Sequence, residues 1–174
     1  MEGGAIEGYP IASKETAPEA VAEPQKHEKI LQLIRKAEVG GDNYNAIYGN
    51  SKSKIRLTEM TIDDVISYQK KLRNTPVGAY QILRRNMISL KMALKLNGTE
   101  LFDKEMQDRM GLALLYRRGY AKYKEGKISK VRFQLQLAQE WASLPIDYRN
   151  ISYYHNDGVN KARVSHKEVL EVLK

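Results

Sequence analysis

The chain has 174 residues, 42% of them hydrophobic and 29% charged, which is typical of one globular domain. No apolar run approaches the roughly 20 residues that cross a bilayer, and there is no cysteine, so a membrane-spanning helix, disulfides and thiolate chemistry are excluded. The three histidines are isolated and lack metal-ligand spacing, so we predict neither a metal site nor a cofactor.

The formal charge of +8 is unevenly distributed along the chain. Residues 1–24 carry a net charge of −4, which leaves about +12 on the remainder. A domain this basic attracts polyanions such as nucleic acid, anionic lipid or the acidic groups of a bacterial cell wall. Charge alone does not choose among them.

Residues 1–24 mix Gly, Ala and Glu with three prolines and show no periodicity. We therefore expect a flexible acidic tail or linker there, and a single domain over residues 25–174. The first residues include an acid where a signal peptide has basic residues, and no apolar stretch follows, so no secretion signal is expected.

Apolar periodicity and capping residues predict six helices along the rest of the chain. In chain order they cover about residues 27–39, 61–72, 79–96, 103–118, 131–143 and 165–173. Between the first two, residues 44–57 are turn-rich and aromatic, which predicts a small hairpin or an ordered loop. The sum is a mainly helical domain with one small irregular or β element near its start.

Glu38 is the residue in this pattern with the clearest chemical meaning. It follows Leu31 and Ile34 at helical spacing, so its carboxylate continues an apolar stripe near the end of the first helix. Desolvation and the negative end of the helix dipole both raise the pKa of a carboxyl group there. An acid that keeps its proton near neutral pH is suited to general acid catalysis. The alternative is a frayed helix end with the carboxylate in solvent.

Gly78-Ala79-Tyr80-Gln81 offers a setting for such an acid. A glycine lets the backbone approach a ligand closely, while the tyrosine and glutamine supply a flat face and an amide, a pairing suited to N-acetyl sugars. A helix start with a tyrosine in the core explains the same four residues equally well.

Five blocks follow one another in an order that is more specific than any one of them. They are Ala37-Glu38 with Tyr44 to Gly49; Gly78 to Gln81; Phe102-Asp103 through Gln107-Asp108-Arg109 to Arg117-Arg118-Gly119; Glu140 to Pro145; and Ser152-Tyr153-Tyr154 with Gly158 to Ala162. With these blocks the chain resembles the phage lambda-type endolysins and related phage virion muramidases, which belong to the goose-type lysozyme and lytic transglycosylase superfamily. The resemblance covers about residues 28–173.

This resemblance implies an α+β fold that is predominantly α-helical, a lysozyme-like two-lobed domain with a small β element and a groove between the lobes. It implies that Glu38 is the catalytic acid and that Gly78, Tyr80 and Gln81 line the sugar subsites. Ala79 departs from the arginine that relatives often carry there, which concerns the subsites rather than the acid. Further substrate-binding candidates are Tyr44, Asn45, Tyr48, Tyr153 and Tyr154, where the last two fit groove lining and packing equally.

The implied activity is cleavage of the β-1,4 bond between N-acetylmuramic acid and N-acetylglucosamine in peptidoglycan. A single acid favours a lytic transglycosylase, in which Glu38 protonates the leaving oxygen and then takes the proton of the muramic acid 6-hydroxyl, giving a 1,6-anhydro sugar. The alternative is a hydrolytic muramidase, which needs a second carboxylate. Asp42 and Asp64 are the candidates, although a turn and a helix cap explain them better.

Other notable side chains are assigned to the fold rather than to chemistry. Trp141 is expected in the core, with a sugar platform as the alternative. Arg84-Arg85 and Arg117-Arg118 are expected on solvated helix faces, where they could assist attraction to an anionic wall. The methionines at helical spacing are predicted to lie in the core: Met87, Met92, Met106 and Met110.

Peptidoglycan strands are thus the expected partner of a monomeric domain, with no nucleic acid and no membrane insertion. The protein is expected to reach the wall from the host cytoplasm through a holin pore, or as part of a phage particle. In the second case residues 1–24 would suit a linker to a larger virion protein. Two rivals remain: a nucleic-acid-binding helical module, against which the dispersed Lys and Arg residues argue, and a catalytically silent wall-binding or virion component.

Overall fold

The structure is a computed structural model that describes residues 18–174 of the chain. Helices dominate this part of the protein, and the longer ones agree with the pattern of apolar residues. The α-helices within it are α1 Glu28–Val39, α2 Ile62–Lys71, α3 Arg84–Ala93, α4 Lys104–Arg117, α5 Tyr120–Lys124, α6 Lys130–Glu140 and α7 His166–Val172.

The predicted small β element is not formed as a strand in the described part of the chain. Residues 44–57 form turns, and their pairing with the rest of the protein is limited to an isolated bridge between Ile47 and Val77. Local side-chain hydrogen bonds explain this, since the side chain of Asn43 accepts the backbone N–H of Asn45 at 3.2 Å. Such bonds satisfy the backbone within a turn and compete with a sheet ladder.

Side-chain caps determine where four of the helices begin. Thr61, Asp103, Ser129 and Ser165 each accept a hydrogen bond from the backbone N–H three residues further along the chain. Each cap satisfies one of the amides that a helix start leaves without an intrahelical partner. Ser165 and Glu168 also form the predicted capping box.

Helix α1 ends at Gly40, whose φ of 79° is left-handed. Glycine adopts this conformation without the steric cost that a side chain would add, so the helix stops here as the sequence predicts. Leu31, Ile34 and Ala37 are fully buried along the inner face of α1. The stripe that they form leads directly to Glu38 in the last helical turn.

Helix α4 is the centre of the core. Its residues are buried on almost every side, and α1 and α5 pack against it. Gly111 allows a close approach to this helix, because a Cβ atom built there would lie 2.6 Å from the ring of Tyr80. The segment that precedes α3 is thereby held against the middle of the molecule.

Helix α3 begins at Arg84, not near residue 79 as predicted. The backbone between them turns twice into the left-handed region, with φ of 78° at Gly78 and 48° at Gln81. Tyr80 lies in this turn with only 1% of its surface exposed. The positive φ of Gln81 excludes a helix through this residue, and the burial of the Tyr80 ring fixes the turn against the core.

Burial corrects one further expectation and shows where the packed core begins within the described residues. Met87, Met106 and Met110 are buried as predicted, but Met92 is 69% exposed because it lies on the outer face of α3. Val21 is fully buried in the core, so the packed part of the chain begins before the predicted boundary at residue 25. Residues 1–17 of the predicted tail over residues 1–24 lie outside the described residues.

Candidate active site

A cavity of about 700 Å³ opens where the end of α1 meets the start of α3 and the ends of α4 and α6. Glu38 lies in its wall, together with three of the other predicted site residues: Tyr48, Gln81 and Tyr154. The remaining wall comes from the segment that follows α6 and from the loop near residue 160. The cavity is therefore lined by side chains from segments that are distant in sequence.

Glu38 is half-buried, and its carboxyl group contacts Ser143. The Ser143 hydroxyl donates a hydrogen bond to Oε1 of Glu38. Burial raises the pKa of Glu38 to about 7, although hydrogen bonds from Ser143 and the charge of Arg163 act in the opposite direction. Desolvation is the larger effect, so a substantial fraction of the Glu38 side chains is protonated at neutral pH.

Glu140 and Arg118 form a buried ion pair in the wall beside Glu38. The Arg118 Nε atom donates to Glu140 Oε2 at 2.6 Å, and both side chains are less than 10% exposed. Asn86 Nδ2 donates to the other carboxylate oxygen at 3.3 Å. The negative charge of Glu140 also adds to the pKa increase of Glu38.

The prediction that the two arginine pairs lie on solvated helix faces is largely wrong. Arg118 is buried against Glu140, and Arg117 is half-buried with its Nη2 atom 3.1 Å from Ser89 Oγ. Arg84 reaches the carbonyl of Ile66. Only Arg85 is exposed as expected, and its side chain lines the cavity.

Gln81, Tyr48 and Tyr154 face the cavity for different structural reasons. The Gln81 side chain is anchored because its Nε2 atom donates to the carbonyl of Gly78 at 2.9 Å. The Tyr154 hydroxyl donates to the carbonyl of Gln139 at 2.8 Å, which holds the ring against the end of α6. Tyr48 is 56% exposed at the rim. These three side chains present amide and aromatic surface to a ligand.

Tyr44 and Tyr80 do not lie in the cavity wall, in contrast to the expectation that both line a groove. Both are buried, and their hydroxyl groups donate to Asp108 at 3.0 and 2.5 Å. Arg35 pairs with the same carboxylate at 3.2 Å. Hydrogen bonding to this buried ion pair turns the two rings into the core, where neither can stack on a sugar.

Gly78, Asn45 and Tyr153 are also absent from the wall of the cavity. Gly78 is packed so tightly that a Cβ atom would lie 2.5 Å from Gln107 Oε1. Asn45 shapes the loop after α1 by accepting the backbone N–H of Thr58 at 3.0 Å. Tyr153 is exposed, and its ring packs edge-on against the ring of Tyr154.

Trp141 is a core residue, as predicted, but one edge of it reaches the cavity. It is 2% exposed, and its Nε1 atom donates to the carbonyl of Tyr80 at 3.2 Å. The buried tyrosine therefore contributes to the cavity indirectly, because its backbone fixes the indole in the wall.

Neither candidate for a second catalytic carboxylate lies in the cavity wall. Asp42 pairs with Arg35 Nε at 2.7 Å on another face of α1. Asp64 accepts a hydrogen bond from the Thr61 hydroxyl at 2.8 Å at the start of α2. Asp64 therefore lies in the helix cap that the sequence indicates, whereas Asp42, for which the sequence indicates a turn, is held by an ion pair.

Sequence reasoning did not assign Ser143, Glu140 or Asn86 to the site. A signal was present, since Glu140 and Ser143 lie in a block that carries the resemblance. Nothing in a linear pattern shows, however, that a serine 105 residues away contacts Glu38. Pairing of this kind is visible only after α1 and the segment after α6 are brought together.

Within residues 18–174, no group of three or more His, Cys, Asp or Glu residues is arranged to hold a metal ion. No helix in that range combines the length and the apolar character that crossing a membrane requires.

Comparison with known proteins assigns the chain to a family. No curated protein and no solved structure matches the chain. A family model described as Endolysin matches residues 29–162, which include Glu38, the turn before α3 and the whole cavity wall. The family indicates a phage enzyme that degrades the peptidoglycan of the bacterial cell wall. Because the match covers most of the chain, this protein belongs to the Endolysin family.

Proposed function

We propose that this endolysin is a lytic transglycosylase with a lysozyme-like two-lobed fold, and that Glu38 cleaves the β-1,4 bond between N-acetylmuramic acid and N-acetylglucosamine. One observation carries the proposal: the Glu38 carboxyl lies in the wall of a 700 Å³ cavity, and burial raises its pKa to about 7. A carboxyl group with this pKa can donate a proton and take one back at neutral pH.

In the first step the protonated Glu38 gives its proton to the glycosidic oxygen as the bond to the anomeric carbon breaks. The leaving sugar departs as an alcohol, and positive charge develops on the muramic acid ring. Glu38 is then a carboxylate, and the Ser143 hydroxyl that donates to its Oε1 atom stabilises that form. The same hydrogen bond holds the carboxyl group in one orientation.

In the second step the Glu38 carboxylate accepts the proton of the muramic acid 6-hydroxyl. The 6-oxygen bonds to the anomeric carbon, and a 1,6-anhydro ring forms without consumption of water. The acid is thereby returned to its starting state. One carboxyl group with a pKa near neutrality is sufficient for both proton transfers.

The carboxylates that line the cavity favour this route over hydrolysis. A hydrolase of the two-carboxylate type needs a second carboxylate that is free to activate water or to attack the sugar. Glu140 is the second carboxylate in the wall, and its two oxygens are engaged by Arg118 and Asn86. Hydrolysis on the same bond is the alternative, with Glu140 as the residue that would serve it.

We assign substrate contacts to Tyr48, Gln81 and Tyr154. Their positions in the wall support this assignment, since aromatic faces stack on sugar rings and an amide can bind an acetamido group. Tyr153 is placed at the edge of the same region through its contact with Tyr154.

The proposal is tested by zymography of the purified chain against peptidoglycan, followed by mass spectrometry of the released fragments. Wild type should clear the gel and Glu38→Gln should not. Glu105→Gln, at an exposed position on α4, is the matched control and should clear like wild type. Clearing by Glu38→Gln would reject the acid assignment. Fragments that end in 1,6-anhydro rings support the transglycosylase, whereas fragments heavier by one water indicate the hydrolase.

A further inference from the structure

The charges in the cavity wall do not cancel. Glu38 is uncharged in the acid form that begins the reaction, and Glu140 is neutralised by Arg118. Arg85 and Arg117 remain as positive charges in the same wall. Two cationic groups beside a neutral acid give the cavity a positive potential.

Within the described part of the chain, the side chain of Arg117 forms hydrogen bonds with neutral groups. Its Nη1 atom is 3.4 Å from Asn86 Oδ1, and its Nη2 atom is 3.1 Å from Ser89 Oγ. Burial lowers the pKa of Arg117, and the charge of Arg118 acts in the same direction, while the carboxylate of Glu140, which pairs with Arg118, partly offsets both. The Arg117 Nε atom is buried without a hydrogen-bond partner among the described residues, so an anion that enters the cavity would add negative charge beside a guanidinium that has a donor to spare.

Arg85 is exposed at the opening and forms no ion pair with a carboxylate among residues 18–174. It lies in the first turn of α3, whose preceding residue Leu83 supplies no side-chain cap. The positive end of the helix dipole therefore adds to the charge of Arg85 on this side of the cavity. A guanidinium group can bind a carboxylate through two parallel hydrogen bonds.

We propose that Arg85 and Arg117 form a subsite for a carboxylate of the glycan strand or of its stem peptides. This inference rests on the proposed function and adds to it the residues that bind the charged groups of the substrate. The carboxylate has two sources: the lactyl group of muramic acid in strands without peptides, and the stem peptides in strands that carry them.

The test compares kcat/KM on four soluble substrates: peptide-bearing strands and peptide-free strands with free lactyl groups, each before and after their carboxylates are converted to amides. Amidation removes the charge but keeps the length and the glycosidic bonds. Wild type should lose about tenfold when the carboxylates are amidated, as expected for the loss of one charge-assisted hydrogen bond pair. Because the lactyl carboxyl of a peptide-bearing strand is already an amide, a loss confined to the peptide-free pair identifies the lactyl group. A loss confined to the peptide-bearing pair identifies the stem peptide.

Arg85→Gln should lose about tenfold on native strands and become insensitive to amidation. Arg132→Gln, which removes an exposed arginine outside the cavity, is the control and should behave as wild type. Because Arg85 is exposed, its replacement tests binding without disturbing the core. Arg117→Lys, checked for folding by circular dichroism, tests the second member and should reduce the preference for native over amidated strands.

The outcomes separate this subsite from the proposed function. If wild type cuts the native and amidated forms of both strand types equally well, the carboxylate subsite is rejected while the glycan-cleaving activity stands. If wild type cuts none of the substrates, the proposed function itself is rejected. An equal loss in Arg85→Gln and Arg132→Gln would show general attraction by net charge and would also overturn the subsite.

Discussion

The Ser143 hydroxyl donates a hydrogen bond to Oε1 of Glu38, although the two residues are 105 positions apart in the chain. This bond stabilises the ionised form of an acid whose protonated form is favoured by burial. The two effects together leave the pKa of Glu38 at about 7. In the proposed mechanism Ser143 therefore positions Glu38 and lowers its pKa.

Replacing Ser143 with alanine should shift the pH dependence of activity. Loss of the hydrogen bond destabilises the Glu38 carboxylate, so the pKa rises above about 7 and the acid stays protonated to higher pH. The alkaline limb of kcat/KM should move upward by about one pH unit, because a hydrogen bond to a charged group contributes roughly 1.5 kcal/mol. The control Ser129→Ala removes the cap of α6, so it should lower stability and leave the alkaline limb in place. An unmoved limb in Ser143→Ala would mean that this bond does not control the acid.

The raised pKa of Glu38 also predicts how stability depends on pH. The ordinary value is 4.5 and the folded value about 7, so the folded state binds this proton more tightly than the unfolded state. The stabilisation that follows is present below pH 4.5 and is lost as the pH rises to about 7. Glu38→Gln has no such loss. We therefore compare the free energy of unfolding of the variant with that of wild type. The difference, in favour of the variant, should be about 2 kcal/mol larger at pH 8 than at pH 4, after a reduction for partial solvent access.

Urea unfolding at these two pH values measures that difference. The exposed Glu105→Gln is the control, and its difference from wild type should change little with pH. A Glu38→Gln variant that shows the same stability difference at both pH values would contradict the assigned pKa.

The helices were largely predictable because their signals are local. Thr61 and Ser165 cap helices that begin where the sequence indicates, and Gly40 ends α1. The place of Glu38 on an apolar stripe could be predicted for the same reason, since it depends only on helical spacing. Each of these features is decided by residues within one or two helical turns.

The partners of buried polar groups were not predictable in this way. The ring of Tyr80 faces the core because Asp108 accepts its hydroxyl, and Arg118 is buried because Glu140 neutralises it. The burial of each side chain depends on a carboxylate that lies in a distant segment of the chain. A tyrosine or an arginine with an amphipathic side chain fits either environment until that partner is known.

Gly78 allows a test of the turn that was mistaken for a helix. Gly78→Ala places a methyl group 2.5 Å from Gln107 Oε1 and 3.0 Å from the ring of Phe102, at a φ of 78°. We expect a loss of about 3 kcal/mol from strain and overpacking together. Gly126→Ala has a similar φ of 70° with open space around the new Cβ atom, so it should cost only about 1 kcal/mol. Equal losses in thermal or urea unfolding would show that the contact with Gln107 is unimportant.

Glu140→Gln should change both stability and the acid. Removing one partner leaves the charge of Arg118 buried without its carboxylate, which is expected to cost about 3 kcal/mol. Asp63→Asn breaks an ion pair with Lys91 that is much more exposed, so this control should cost less than about 1 kcal/mol.

Glu140→Gln should also shift the pH dependence of activity, in the direction opposite to that of Ser143→Ala. The charge of Glu140 raises the pKa of Glu38, so its removal lowers that pKa and moves the alkaline limb of kcat/KM to lower pH. An alkaline limb that stays in place, measured on the folded fraction, would show that the two carboxyl groups in the wall are not coupled.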